Sequence, residues 1–398
     1  MKKIFLLMVL LLAFCATAWA KVTLGIERID EERYAELLKA KRVGVFTNQS
    51  GVDSSLNRSV DLLRQKYNVT AIFVPEHGLF GAVRAGEDFG DAQYKDIPVY
   101  SLYNGQRYPT EQMLENVDLI CVDIQDIGVR HYTYTSSLAY IMEVCAKAGK
   151  EVVVFDRPNP LGGKVEGPVL KPELKSFIGL YELPLRHGLT IGEFASYING
   201  SQHIGCQLQV VPMKGYRRNM LWSDTGLPWV QTSPLIPTAE TALLYAVTGV
   251  IGDTNLSVGV GTAKPFYYVG APYADSEQVK EALAALGLEG VAFREASFIP
   301  RYGVYEGELV QGVEIYLTEP KKVDLPQLDY YIIHTFKKLY GDKLKFPERG
   351  YGADGHKVDI ALGETSIRSG EEPQRAFVRW STGCEAYKRA VAPYLLYR

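Results

Sequence analysis

The chain of 398 residues carries 43 lysines and arginines against 46 aspartates and glutamates, a formal net charge of −3 without any basic run, and this excludes a typical nucleic-acid binder. Its five cysteines are widely spaced and form no C-x-x-C, so neither a zinc ribbon nor a redox pair is indicated and buried free thiols are expected. The length exceeds one typical domain, and two are expected.

Lys2-Lys3, an apolar run from Ile4 to Ala16 and Ala18-Trp19-Ala20 form a basic n-region, an h-region and an A-x-A cleavage site. Residues 1–20 therefore read as a cleaved signal peptide, which places the mature protein in the periplasm or outside the cell. The run is short of the roughly 20 residues of a membrane span. Phe14 before Cys15 is too bulky for a lipobox, so no membrane anchor is expected. The leader removes two of the 43 basic residues and leaves 41, so the mature chain is mildly acidic.

From Lys21 to about Asn199, runs rich in Val and Ile (43–46, 70–74, 119–124, 151–155) alternate with helical stretches at Asp30–Lys39, Ser55–Lys66 and Ser137–Ala148. Such alternation predicts a Rossmann-like, doubly wound and mostly parallel α/β sheet. Thr190 followed by Glu193 is a capping box that opens a helix at Ile191. Residues 212–237, with Trp222, Trp229 and Ser233-Pro234, read as an ordered, loop-rich connection. Helices near Thr238–Val247, 276–286 and 326–340 and a strand at 312–317 then predict a smaller α+β C-terminal domain. The expected division is 21–235 for a catalytic domain and 236–398 for an auxiliary one.

Acidic and polar clusters stand just after three of the apolar runs: Pro75-Glu76-His77-Gly78, Gln125-Asp126-Ile127-Gly128-Val129-Arg130, and Asp156-Arg157-Pro158-Asn159-Pro160. Open parallel sheets build their sites at that edge. Glu76 suits a general acid, and a turn-capping or arginine-paired Glu is the bland alternative. Asp123, Asp126 and Arg130 can hold a substrate or one another. Thr47-Asn48-Gln49-Ser50-Gly51 follows the first strand in place of G-x-G-x-x-G, which disfavours a dinucleotide cofactor. No G-x-S-x-G elbow and no metal-ligand spacing occur, so neither a serine hydrolase nor a metal is expected. Tyrosines 103, 108, 132, 134, 267 and 268, from a total of 26, lie near these clusters and suit a sugar, whose C–H faces pack on rings.

In order along the chain, VPEHGLFG (74–81), AGE (85–87), DIQDIGVRHYTY (123–134), DRPNPLGG (156–163), VEGPVL (165–170), HGLTIGE (187–193), PTAETALLY (237–245) and TNLSVGVGT (254–262) resemble the exo-β-N-acetylmuramidase (NamZ-like) family of cell-wall hydrolases. The resemblance implies an active site in a cleft between the two domains and release of N-acetylmuramic acid from the non-reducing end of peptidoglycan fragments. It also implies catalysis by Glu76. The second group is left open among Asp126, Asp123, Glu166 and the substrate's own acetamido oxygen, with Asp126 placed first. Arg130 and Arg157 are the expected partners of the lactyl carboxylate. His77, Asp123, Tyr132, Asn159, Glu166, Asn255 and Thr262 complete the expected substrate contacts. Phe80, Gly252, Val258 and Val260 depart from the family pattern, which usually has charged residues at these motifs. A muramyl-glycan hydrolase without cofactor is the expected function, and a glycan-binding or recycling protein that has lost turnover is its rival.

Overall fold

The computed structural model describes residues 21–350 and 352–398, so the expected leader lies outside the described residues. In chain order the first half contains α1 (Glu32–Leu38), β1 (Arg42–Thr47), α2 (Ser59–Arg64), β2 (Asn68–Val74), β3 (Ala92–Tyr94), β4 (Ile97–Ser101), α3 (Glu111–Leu114), β5 (Leu119–Asp123), α4 (Tyr134–Lys147), β6 (Glu151–Phe155), β7 (Glu166–Val169), β8 (Pro184–Arg186), α5 (Ile191–Ser201) and β9 (Gln207–Val211). The seven-stranded sheet runs β3-β4-β2-β1-β5-β6-β9, and all pairings except the edge pair β3–β4 are parallel. The four apolar runs are β1, β2, β5 and β6 at its centre, where helices cover both faces and a strand has no solvent side to alternate toward. The edge strands β3 and β9 are half-polar and escape such a reading.

Helix α5 begins as expected. Thr190 Oγ1 accepts the Glu193 N–H at 3.2 Å and Glu193 Oε2 accepts the Thr190 N–H at 3.0 Å. The expected helix from Ser55 is shorter than anticipated, because Asp53 Oδ1 takes the N–H groups of Ser55 and Asn57 and holds those residues in a turn until Ser59.

The second half holds α6 (Ala239–Thr248), β10 (Tyr268–Ala271), α7 (Ser276–Ala284), β11 (Val291–Phe298), β12 (Val310–Leu317), α8 (Leu325–Tyr340), the hairpin β13 (Glu348–Gly350) and β14 (Ala353–His356), α9 (Lys357–Leu362), α10 (Ser366–Ser369) and α11 (Pro373–Val391). Its antiparallel sheet runs β10-β12-β11. Asp275, Asp324 and Thr238 cap α7, α8 and α6 by accepting the N–H three residues on. One apolar core runs from Val122 and Leu138 through Leu244 and Val313 to Ile333 and Ile360, joining both halves.

Two polar ties reinforce this union. The chain end returns to the first sheet, where Tyr397 donates to Asp156 Oδ2 at 2.6 Å. The same carboxylate accepts from Thr190 Oγ1 and from the Gly192 N–H at the start of α5. The second tie is Arg130. Its guanidinium is buried and donates to the carbonyls of Pro168, Leu183, Ala361 and Leu362 at 2.6–2.9 Å. Ala361 and Leu362 end α9, so a cation there also meets the negative end of the helix dipole. Gly363 follows in a left-handed conformation (φ +87°), and a Cβ on it would lie 2.6 Å from the guanidinium, so only glycine fits.

Replacing Arg130 with methionine leaves those four carbonyls without their donor, and we expect a loss of about 3 kcal/mol or more of stability. Arg130→Lys keeps a charge but not the fork, and it is expected to fall between the two. Urea unfolding measures both; an unchanged midpoint in Arg130→Met would show that the tie carries no stability.

Candidate active site

Beyond the carboxyl ends of β2 and β4 lies a cavity of about 1040 Å³, at the upper end of the roughly 300–1,000 Å³ typical of small-ligand sites. Its wall takes Glu76, His77, Tyr103, Arg107, Tyr132 and Thr133 from the first half and Tyr245, Asp253, Val260, Phe266 and Tyr302 from the second. Among the described lining residues the carboxylates are Glu76 and Asp253.

Glu76 leaves β2 two residues after its end and is fixed by two donors. Its Oε1 accepts the Gly86 N–H at 2.7 Å and its Oε2 accepts the Thr133 hydroxyl at 3.1 Å. Gly86 donates from a left-handed turn at φ +76°. The loop between them is closed by His77, whose Nδ1 donates to the Val83 carbonyl at 2.8 Å. In the neutral ring this leaves Nε2 as the acceptor. His77 itself stands at φ +75°, a strained conformation for a side chain of that size and one often found where a backbone is shaped for function. Burial, and then the Glu76 charge, push the Tyr103 hydroxyl above the usual phenol range. Arg107 lies 3.5 Å above the Tyr103 ring and ion-pairs with Asp88 at 3.3 Å. Arg84 lies 5.7 Å over Tyr302, so the cavity wall carries two cations.

Three of the expected site residues line this cavity: Glu76, His77 and Tyr132. The others are spent on the protein itself. Asp126, expected as the second catalytic group, caps its own loop by accepting the Gly128 N–H at 2.7 Å. Its other oxygen is sealed from solvent and has no hydrogen-bond partner among the described residues, while His187 Nε2 stands 3.8 Å from the first. Asp123 and Arg157, at the ends of β5 and β6, form a buried bidentate pair at 2.7 and 2.8 Å, and Arg157 also donates to the Val52 carbonyl. Both terminal nitrogens of Arg130 are taken up by its four carbonyls, its Nε is buried without a hydrogen-bond partner among the described residues, and neither Arg130 nor Arg157 lines the cavity. Asn159 accepts from the Leu161 N–H and donates to the Leu189 carbonyl, both at 2.9 Å. Glu166 pairs with Arg186 at 2.7 Å. Asn255 bridges the chain at Lys343 and Lys345. Thr262 closes a turn onto the Gly259 carbonyl and borders a separate groove of about 470 Å³.

The sequence reading missed Thr133, Arg84, Arg107, Tyr245 and Asp253. A signal existed for four of them: Thr133 and Tyr245 lie inside the DIQDIGVRHYTY and PTAETALLY motifs, Arg84 immediately precedes the AGE motif, and Asp253 occupies the segment that departs from the family pattern. Asp253 has a second carboxyl beside it. Asp329 on α8 is buried without a hydrogen-bond partner among the described residues, and burial and the Asp253 charge push it well above the usual carboxylate range. His131 borders the cavity, but both ring nitrogens are shut away from solvent, and burial beside Arg130 pushes the imidazole down to about 3. Among the described residues no His, Cys, Asp and Glu side chains converge to hold a metal ion.

The sequence models of the exo-β-N-acetylmuramidase NamZ N-terminal and C-terminal domains match residues 43–240 and 243–397. This chain belongs to that family. It is 40% identical over 386 residues to the peptidoglycan β-N-acetylmuramidase NamZ of Bacillus subtilis (strain 168), covering 95% of this chain and 92% of that protein. Two solved DUF1343 family structures from Bacteroides fragilis NCTC 9343 share the fold, at 35% identity with a TM-score of 0.86 and 28% with 0.77. Each alignment covers 95% of this chain and 99% of the other.

Because the Asp126 carboxylate faces its own loop, Asp126→Asn is expected to lower the melting temperature while leaving kcat/KM within about threefold of wild type. A hundredfold loss, the scale of a removed acid or base, would return Asp126 to the reaction.

Proposed function

We propose that the protein is an exo-acting glycoside hydrolase that releases N-acetylmuramic acid from the non-reducing end of peptidoglycan fragments. The observation that carries this reading is Glu76, a carboxylate fixed by the Gly86 N–H and the Thr133 hydroxyl on the wall of a sugar-sized cavity. Family membership supports the same chemistry.

Glu76 delivers its proton to the glycosidic oxygen. The bond from that oxygen to the anomeric carbon breaks, its electron pair stays with the departing alcohol, and positive charge develops on the sugar ring. Asp253, the other carboxylate among the described residues of the wall, is the group we assign to stabilise that charge. Water then adds to the anomeric carbon, and a carboxylate takes up the proton it releases. Arg84 and Arg107, rather than Arg130 and Arg157, hold the lactyl carboxylate. Arg107 gives up its exposed pairing with Asp88 for a charge-assisted bond inside the cavity. The tyrosines on the wall supply faces for the sugar's C–H groups. A signal peptide cleaved after Ala20 would deliver the enzyme to the compartment where peptidoglycan fragments arise.

Glu76→Gln keeps the shape and should reduce turnover of the disaccharide by about a hundredfold or more. A nitrophenyl muramic acid glycoside, whose leaving group needs little protonation, should suffer less; equal losses on both substrates would make Glu76 a binding group only. In Arg84→Ala and Arg107→Ala, kcat/KM on the nitrophenyl muramic acid glycoside should drop about tenfold or more, the scale of a lost charged hydrogen bond. The glucosamine glycoside lacks the lactyl carboxylate and should be unaffected. If both substrates weaken alike, these cations do not read the carboxylate.

A further inference from the structure

Beside the cavity, and joined to it at Arg107, lies a second groove of about 580 Å³ bordered by Gln106, Tyr108, Tyr140, Glu143 and Lys147. A line of aromatic rings connects the two. Tyr103 and Phe177, both on the cavity wall, have ring centres 6.4 Å apart. Phe177 stacks on Tyr140 at 6.0 Å with planes 22° apart, and Tyr140 meets the ring of Tyr108 at 6.3 Å. Arg107 spans the junction, 3.5 Å above Tyr103 and 5.5 Å from Phe177.

We infer that this groove is the subsite for the part of the glycan strand that departs, the sugars on the reducing side of the bond being cut. The inference rests on the reaction proposed above and adds where the rest of the substrate lies. Three observations carry it. First, a general acid stands on the side of the leaving oxygen, and the ring line starts at Tyr103, which shares the cavity wall with Glu76 and, like Tyr134 and Tyr245, feels its charge. Second, the groove combines ring faces with Gln106, Glu143 and Lys147 at its margin, the pairing of flat apolar and polar groups that a pyranose needs. Third, Tyr108 is 49% exposed at the far end, a large aromatic surface left open to water in line with the cavity. The groove at Thr262 also has stacked rings, Tyr268 and Phe298 at 4.8 Å, but it meets the cavity at Tyr302 rather than at Tyr103.

The test compares kcat/KM of the whole protein on three substrates: a nitrophenyl muramic acid glycoside, a muramic-acid-terminated disaccharide, and the corresponding tetrasaccharide. The wild type should prefer the tetrasaccharide over the disaccharide by about tenfold, the scale of one or two ring contacts. Tyr140→Ala and Tyr108→Ala should each erode that preference through KM and leave the nitrophenyl glycoside within about twofold, which also shows that the variants are folded. Phe298→Ala should keep the preference. The inference is overturned if the wild type shows no length preference, if both tyrosine variants retain it, or if Phe298→Ala is the variant that loses it. A wild type idle on the nitrophenyl glycoside would instead overturn the proposed reaction, and this subsite with it.

Discussion

Four main-chain carbonyls from distant parts of the chain converge on one guanidinium. Arg130 reaches Pro168 and Leu183 around the β7–β8 hairpin and Ala361 and Leu362 at the end of α9, all within 2.6–2.9 Å. Burial lowers its basicity, to about 9, yet it stays charged at neutral pH. A planar fork with donors on both sides is the side chain that can satisfy two pairs of carbonyls at once; an ammonium cannot. The cavity draws on both of the halves that this tie joins, since its wall is assembled from Glu76 and Tyr103 on one half and Tyr245, Asp253 and Phe266 on the other. Two residues beyond Arg130, Tyr132 enters the wall and donates to Thr232, so the same short segment that joins the halves also shapes the site.

The position of the cavity along the sheet has a physical cause. In an open parallel sheet the crevice forms where the strand order reverses, here between β1 and β5. That crevice is filled. Asp123 and Arg157 occupy it as a buried ion pair, Thr47 donates to the Asp123 carbonyl, and Arg157 reaches back to Val52. Charges at that depth are stable only when paired, and once paired they leave no room for a ligand. The open space lies instead beyond β2 and β4, where the loop 77–86 lines it and is tied back to Glu76 at its base.

That loop shows how local strain and long-range packing combine. His77 and Gly86 both adopt left-handed conformations, and the bonds from His77 to Val83 and from Gly86 to Glu76 hold the arch in place. The carboxylate is thereby oriented by main-chain and hydroxyl donors and not by an arginine. Both donors are neutral, and together they fix the orientation of the carboxyl group on the cavity wall.

The local physics of the sequence determined the sheet, its central strands, the capped helices and the position of Glu76. Buried parallel strands must be continuous Val and Ile runs, Thr190 and Glu193 can only be a helix start, and a carboxylate just past such a strand has to face the functional edge. The sequence could not distinguish which polar residues at that edge face a ligand and which face one another. Asp123 with Arg157, and Arg130 with Ala361 and Leu362, are partners 34 and more than 230 residues apart. From motif chemistry alone each side chain looks as free as Glu76. Arg84 and Asp253 only border quoted motifs and Arg107 has none, and all three reach the cavity wall because the fold brings their loops together. A side chain's chemical type is a local property, but whether its charge is spent inside the protein or offered to a substrate is set by its partners, and those partners are fixed only when distant segments pack.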